Sequence, residues 1–386
     1  MSPPPAYATE YADHRAASRV AVAARHYKYM ERLVPADRHP LPPSPESVLI
    51  DPHDVRWVIG YADRALVVDA GGTHTRFAGA GRWIPGIDPD GVRVGNRVWP
   101  AGAAEYRELR PFGLFDTSAV QLAARRHDDL WIAATLGRPA FGPVEVRVIV
   151  RANDARIDDD TAPRWRHTQA GEGVATIADD DTIAIATDDR HVRMLRHPND
   201  PQLRAPAIVG DVELEHEPYS LCAIDGGFVV VSAIEAAPAE ARIARLYTRG
   251  ARTFRAEWSS DVRWLDVTGR ALWTARVPFA VLQPPVDLGA GRIAVAGRGL
   301  ACIEGGRVVW TKPAANVDVY ATAFVDGTLA VGIGSRLAIL SRDGDMLRSI
   351  DVPDGMRIVT PPAIGPDGSL AFGTTGHTFV VPALDA

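Results

Sequence analysis

Three segments near the C-terminus of this chain are variations on one phrase. They are Leu282 to Val309 (LQPPVDLGAGRIAVAGRGLACIEGGRVV), Thr322 to Leu347 (TAFVDGTLAVGIGSRLAILSRDGDML) and Pro361 to Leu384 (PPAIGPDGSLAFGTTGHTFVVPAL). Each runs from a short apolar stretch through an Asp-Gly or Ala-Gly turn into alternating apolar residues, then through a second turn into another such run. That order is the grammar of antiparallel strands in one small sheet, repeated. A chain built this way is constrained to stack sheet after sheet. It carries little direct information about a substrate or partner.

The repeat can be extended backward by aligning the second residue of the turn that precedes the alternating strand. The markers are Arg64, Asp129, Asp181, Gly226, Gly291, Gly327 and Gly368, at spacings of 65, 52, 45, 65, 36 and 41 residues. The later spacings fall near the roughly 40 to 50 residues of a propeller blade. The expected fold is therefore all-β, a β-propeller of about seven four-stranded blades, with roughly six to eight allowed by the two long intervals. With 34 Gly and 30 Pro, the composition favours turns over long helices.

The two 65-residue intervals must hold insertions or a missed blade. Residues 85–115 read as loop (PGIDPDG, WPAGAAEYRELRPFG), and residues 235–260 as an Ala/Glu/Arg-rich hairpin or short helix (EAAPAEARIARLYTRG). Insertions on such a scaffold are candidate interaction loops. The last repeat supplies three strands, and an open sheet edge invites aggregation. The fourth strand is expected from the N-terminal β region, at Val48 to Ile50 or Val55 to Ile59.

Ahead of residue 47 the pattern changes. Ala16, Val20, Ala23, Tyr27, Met30 and Val34 recur at three- and four-residue steps, which predicts an amphipathic helix over 7–34 closed by Pro35. Its polar face, with His14, Arg25, Lys28 and Arg32, is the candidate interaction surface of the helix. Docking on its own ring is the equal alternative. HPLPPSPES then makes a linker, so residues 1–46 are read as helix and linker and 47–386 as the propeller.

Charge and motif content narrow the function. The net charge is −6, with 42 basic residues spread among 48 acidic ones, so nucleic acid is not an expected partner. There is no apolar leader-like segment at the N-terminus and no run long enough to span a membrane, so a cytoplasmic protein is expected. Cys222 and Cys302 are the only cysteines, which gives no disulfide framework or thiolate zinc site. The acidic runs Asp158 to Asp160, Asp179 to Asp181 and Asp188-Asp189 lack calcium-loop spacing and read as strand turns. The histidines beyond the N-terminal segment are scattered, His216 among them, and form no HxH or HExxH pair. No catalytic, cofactor-binding or metal residues are therefore assigned, and no cofactor is expected.

Asp266-Val-Thr-Gly-Arg-Ala-Leu-Trp273 resembles the tryptophan-docking motif of pyrroloquinoline-quinone-like (quinoprotein-type) β-propellers. In that family an Asp, a Thr-Gly turn and a Trp four residues after the Gly recur from blade to blade. Gly306 and Trp310 keep the Gly-to-Trp spacing, whereas Gly344 is followed at that spacing by Arg348. The resemblance implies a structural docking role for Asp266, Gly269, Trp273, Gly306 and Trp310. A docked Trp buries a large apolar area and lets its N–H find an acceptor, with no cofactor needed. The family's enzymes hold a quinone and calcium in a central funnel, some with adjacent cysteines, and this chain shows no matching ligand set.

A rival motif lies at Val67-Val68-Asp69-Ala70-Gly71-Gly72-Thr73-His74-Thr75-Arg76-Phe77. It resembles the phosphate hairpin of actin-like-fold sugar kinases (DxGGTxxR), with Ala330-Val331-Gly332-Ile333-Gly334 standing for a later Gly-rich turn. That fold needs long crossover helices, which the sequence lacks after residue 130. The primary expectation is a non-catalytic protein-interaction scaffold, one component of a multiprotein bacterial system with protein partners. The alternative is a propeller enzyme or small-ligand binder using the funnel, and the kinase via Asp69 to Gly72 is a minor one.

Overall fold

A computed structural model gives the architecture. It describes residues 165–170, 173–178, 180–196, 205–234, 259–314, 317–365 and 367–385, together with the backbones of shorter segments between 25 and 150. Among the described residues the strands form eight four-stranded antiparallel sheets. The fold class is all-β, a β-propeller in its succession of such sheets, and within seven of them the strands pair in chain order.

The first sheet is Ser47–Asp51, Arg56–Tyr61, Arg64–Val68 and His74–Ala78. The second is Pro85–Asp88, Gly91–Val94, Arg97–Pro100 and Arg107–Glu108. The third, residues 120–169, ends on Trp165–Gln169. The fourth is Gly173–Ile177, Ile183–Thr187, His191–Arg196 and Ala207–Glu213. The fifth is Pro218–Ile224, Gly227–Ile234, Ser259–Asp266 and Ala271–Val277. The sixth, residues 286–313, ends on Arg307–Pro313, and the seventh, residues 319–351, on Met346–Asp351.

The eighth sheet begins with Ala363–Ile364, Leu370–Gly373 and Thr378–Val381. Its fourth strand is Glu31–Arg32, with Glu31 opposite Val380 and Arg32 opposite Phe379. Arg25–His26 pairs likewise with Leu384–Asp385. Closure by an N-terminal strand is thus real, but neither expected segment supplies it, because 47–51 and 56–61 are the first two strands of their own sheet.

Two expectations are corrected here. Where the three- and four-residue spacing predicted a helix over 7–34, the described backbone at 25–26 and 31–32 is strand. An unpaired edge on Thr378–Val381 gives the segment a tertiary partner that outweighs local periodicity. The stretch expected as a loop insertion, 85–115, contains the whole second sheet, so one of the two long intervals hides a sheet. The insertion expected at 235–260 lies outside the described residues up to position 258. Asp69 to Gly72 lie outside the described residues, between the antiparallel strands Arg64–Val68 and His74–Ala78, and Leu329–Ile333 is antiparallel to both its neighbours. What removes the sugar-kinase reading is the sheet order: the described strands pair in chain order, sheet after sheet, where that fold requires helical crossover connections.

Where side chains are described, burial varies with the strand. Ile183–Thr187 and Val319–Ala323 are buried along their whole length, so they read as continuous apolar runs and not as alternating ones. The last strands, by contrast, are mostly exposed, as in Met346–Asp351. Two compact units are present, one of Met1–Thr117, Val286–Ala290 and Val317–Ala386, the other of Ser118–Pro285 and Gly291–Asn316.

In the first unit, Tyr320, Phe324, Leu337, Ile339, Ile358, Leu370, Phe372 and Phe379 form a core against which Met30 packs. Phe372 and Phe379 stack at 6.1 Å. Val48, Trp57, Ile59 and Val68 join Ala363 and Ala371 in a second cluster, which fixes the first sheet on the eighth. In the second unit, Ile224, Val229, Val231, Val262, Trp264, Val277, Phe279, Ile293 and Ile303 share one cluster. A buried polar thread crosses it. The Tyr219 hydroxyl donates to the Val281 carbonyl at 2.6 Å and meets Ser260 Oγ at 3.0 Å, while Val281 N–H donates to that Oγ. Desolvation there pushes the Tyr219 phenol well above its ordinary pKa.

Candidate functional site

The region carrying the docking motif is a tight turn closing the fifth sheet. Asp266 Oδ1 accepts hydrogen bonds from the Thr268 N–H (2.9 Å), the Thr268 hydroxyl (2.6 Å) and the Arg270 N–H (3.0 Å). Its backbone N–H donates to the Arg270 carbonyl, and the Gly269 N–H donates to the Asp266 carbonyl. The Thr268 hydroxyl contributes most to holding the Asp266 carboxyl below its ordinary pKa, outweighing partial burial. Gly269 sits at φ +88°, a left-handed conformation that an L side chain resists.

After this turn the strands shift register by one residue, between Trp264 and Leu265. The same shift falls between Met194 and Leu195, Cys302 and Ile303, and Ile339 and Leu340 in the fourth, sixth and seventh sheets. Across from the residue before each shift stand Gly210, Trp273, Trp310 and Arg348. These four residues occupy one structural position. The spacing from the turn glycine revealed three of them, and Gly210 escaped because no Trp marks it.

Two seams inside the second unit use this position. Trp273 lies edge-to-face on Trp264 of its own sheet, with ring centroids 5.5 Å apart and planes at 77°. On its other side comes Gly306, at φ +81°, where an added Cβ would lie 3.0 Å from Trp273 Cβ. One sheet earlier, the Thr268–Gly269 turn rests on Gly210, where an added Cβ would lie 2.3 Å from the Thr268 carbonyl oxygen. The rule of the seam is consistent: the turn of one sheet seats on the last strand of the sheet before it. Where a Trp stands there, the turn seats on indole, and where Gly stands, the backbones close directly.

The last strands also expose apolar side chains at repeated places. In the second unit these are Ile208, Leu272, Val308 and Val309, with Leu272 at 45% and Val309 at 46% exposure. In the first unit Met346 and Leu347 are 52% and 49% exposed. Leu272, Val309 and Leu347 each follow their turn glycine, Gly269, Gly306 and Gly344, by three residues. Each lies on a strand at the end of its sheet's order.

Other sequence candidates disperse. Arg25 and Arg32 lie on strand backbones, and His14 and Lys28 lie outside the described residues. The described acidic turns satisfy themselves. Asp180 accepts from Thr182 N–H and Arg196, and Asp189 accepts from the Thr187 hydroxyl, His191 N–H and Arg193. Cys302 is buried and Cys222 half-buried. His216, scattered in the sequence, is brought beside Glu215 and Asp261. Among the described residues no helix is long and apolar enough to cross a membrane.

The strand pairing and seams above define the class, an all-β protein of β-propeller type. No family model matches the chain, and no curated protein sequence matches it. Among solved structures it is similar to a streptogramin B lyase, at 8% identity and TM-score 0.49 over 92% of this chain and 98% of that one. It is also similar to BBS1N from a complex with ARL6DN, at 10% identity and TM-score 0.47 over 94% and 97%. A third likeness is to the RRP9 WD40 repeats, at 9% identity and TM-score 0.49 over 93% and 100%.

Proposed function

We propose that this chain is a non-catalytic protein–protein interaction scaffold, a component of a multiprotein system in the bacterial cytoplasm. The observation that carries this reading is the exposure of Leu272 and Val309 at one position of two successive end strands in the second unit, with Leu347 at the same position of its own end strand in the first. Repeated apolar exposure costs solubility when unused, and it suits a partner that covers end strands within one unit. The sheets act as blades, and the Gly210–Gly269 and Trp273–Gly306 seams serve as docking contacts of the quinoprotein type that keep the display rigid. An end strand also has a backbone edge that a partner strand can join.

The test is affinity purification from the native host with the intact chain and with a Leu272→Glu, Val309→Glu, Leu347→Glu variant. The intact chain retains a stoichiometric protein partner and the variant loses it, while both melt at similar temperatures. Equal recovery by both, or no partner with either, would contradict the proposal.

A further inference from the structure

Glu215 and His216 lie on the short connection between the last strand of the fourth sheet and Pro218–Ile224, and Asp261 lies 45 residues later on Ser259–Asp266. The fold brings them together at one spot. His216 Nε2 is 3.7 Å from Glu215 Oε1 and 3.8 Å from Asp261 Oδ2, and the three donor atoms fall within 4.8 Å of one another. The Asp261 side chain is 14% exposed and that of His216 26%, whereas Glu215 at 74% is free to turn inward.

The arrangement has outer support. Arg276 Nε donates to Asp261 Oδ1 at 3.1 Å, which fixes the carboxylate and leaves Oδ2 toward His216. An oriented carboxylate beside an imidazole is the pattern that second-layer hydrogen bonds produce around metal ligands. Asp261, followed by Glu215, in turn raises the Arg276 pKa. The two carboxylates outnumber the one guanidinium beside them, so the pocket around His216 suits a cation.

We infer that Glu215, His216 and Asp261 form a binding site for a divalent transition-metal ion of the zinc type. Bonds of about 2.0–2.2 Å in a tetrahedral shell place donors about 3.3 Å apart. A small inward movement, mostly of exposed Glu215, brings the three atoms to that spacing. Imidazole as a donor selects zinc-like ions over calcium or magnesium, which prefer oxygen alone. The fourth position opens to solvent and takes water. Bound there, the ion ties the 214–217 connection to the Ser259–Asp266 strand inside one unit.

The experiment is titration of the intact chain with Zn2+ alone, by calorimetry and by thermal melting, beside His216→Gln and Glu215→Gln variants. Glu215 is exposed, so its variant keeps the metal-free melting temperature even if the His216 change does not. The expected result is one saturable zinc equivalent, weakened at least tenfold in each variant. Zinc should raise the melting temperature of the intact chain and not of the variants, and Ca2+ should not substitute. No saturable zinc, or equal zinc affinity in the intact chain and the Glu215→Gln protein, overturns the site and leaves a plain histidine–carboxylate pair.

Discussion

At position 210 the side chain that is missing matters as much as the indole at 273. A methyl group on Gly210 would drive into the Thr268 carbonyl, and neither backbone can retreat without parting the fourth and fifth sheets. Gly210→Ala should therefore cost about 2–3 kcal/mol, measurable by urea unfolding. Trp273→Ala removes the partner of Trp264 and the seat of Gly306, and should cost about 2–3 kcal/mol, below the fully buried Trp range because Trp273 is half-exposed. Leu272→Glu, one residue away but pointing to solvent, should change stability by no more than about 0.5 kcal/mol. Equal losses at 272 and 273 would mean that the register of the last strand is misassigned.

Asp266 adds a pH dependence at the same scale. Its carboxyl titrates lower in the fold than in the unfolded chain, so its contribution is complete above the ordinary carboxylate pKa. It disappears as the pH falls through the folded value. Asp266→Asn should flatten the acid limb of a stability-versus-pH curve below about pH 4 and leave the neutral region's slope unchanged. An unaltered acid limb would show that the turn does not depend on the charge.

At the scale of elements, the fourth strand of the eighth sheet comes from the other end of the chain. A chain beginning at Pro45 lacks Glu31–Arg32 and Met30, which leaves Thr378–Val381 as an open edge and uncovers part of the Phe372–Phe379 core. Such a truncation should lower the melting temperature by about 5 °C or more and promote association on size-exclusion chromatography. A truncated chain as stable and monodisperse as the intact one would contradict strand closure.

The turns decide how much of this order was readable. Gly226, Gly291, Gly327 and Gly368 fall between the first and second strands of their sheets, because a turn needing positive φ announces itself with Gly. Arg64 comes one strand late: it opens the third strand of the first sheet, and the sequence between the first two strands, Asp51 to Arg56, has no Gly to mark it. The second sheet was hidden for the opposite reason. Its first three strands have only four residues each and include Pro85, Pro100 and Gly91, so turn chemistry masks strand alternation. The Glu31–Arg32 pairing and the Glu215–His216–Asp261 cluster depend on contacts between distant positions, which no local pattern encodes.

At the scale of the whole molecule, the proposed function joins the seams of the second unit to the exposed end strands of both units. The middle strands of the fourth, sixth and seventh sheets are largely buried, two turn-on-strand seams register sheets within the second unit, and on the proposed function the exposed end strands meet a partner. Hydrogen–deuterium exchange on the chain alone and with its captured partner tests this account most directly. The account predicts that protection on binding concentrates at Ala271–Val277, Arg307–Pro313 and Met346–Asp351. Protection confined to other segments, with these three end strands exchanging as in the free chain, would contradict it.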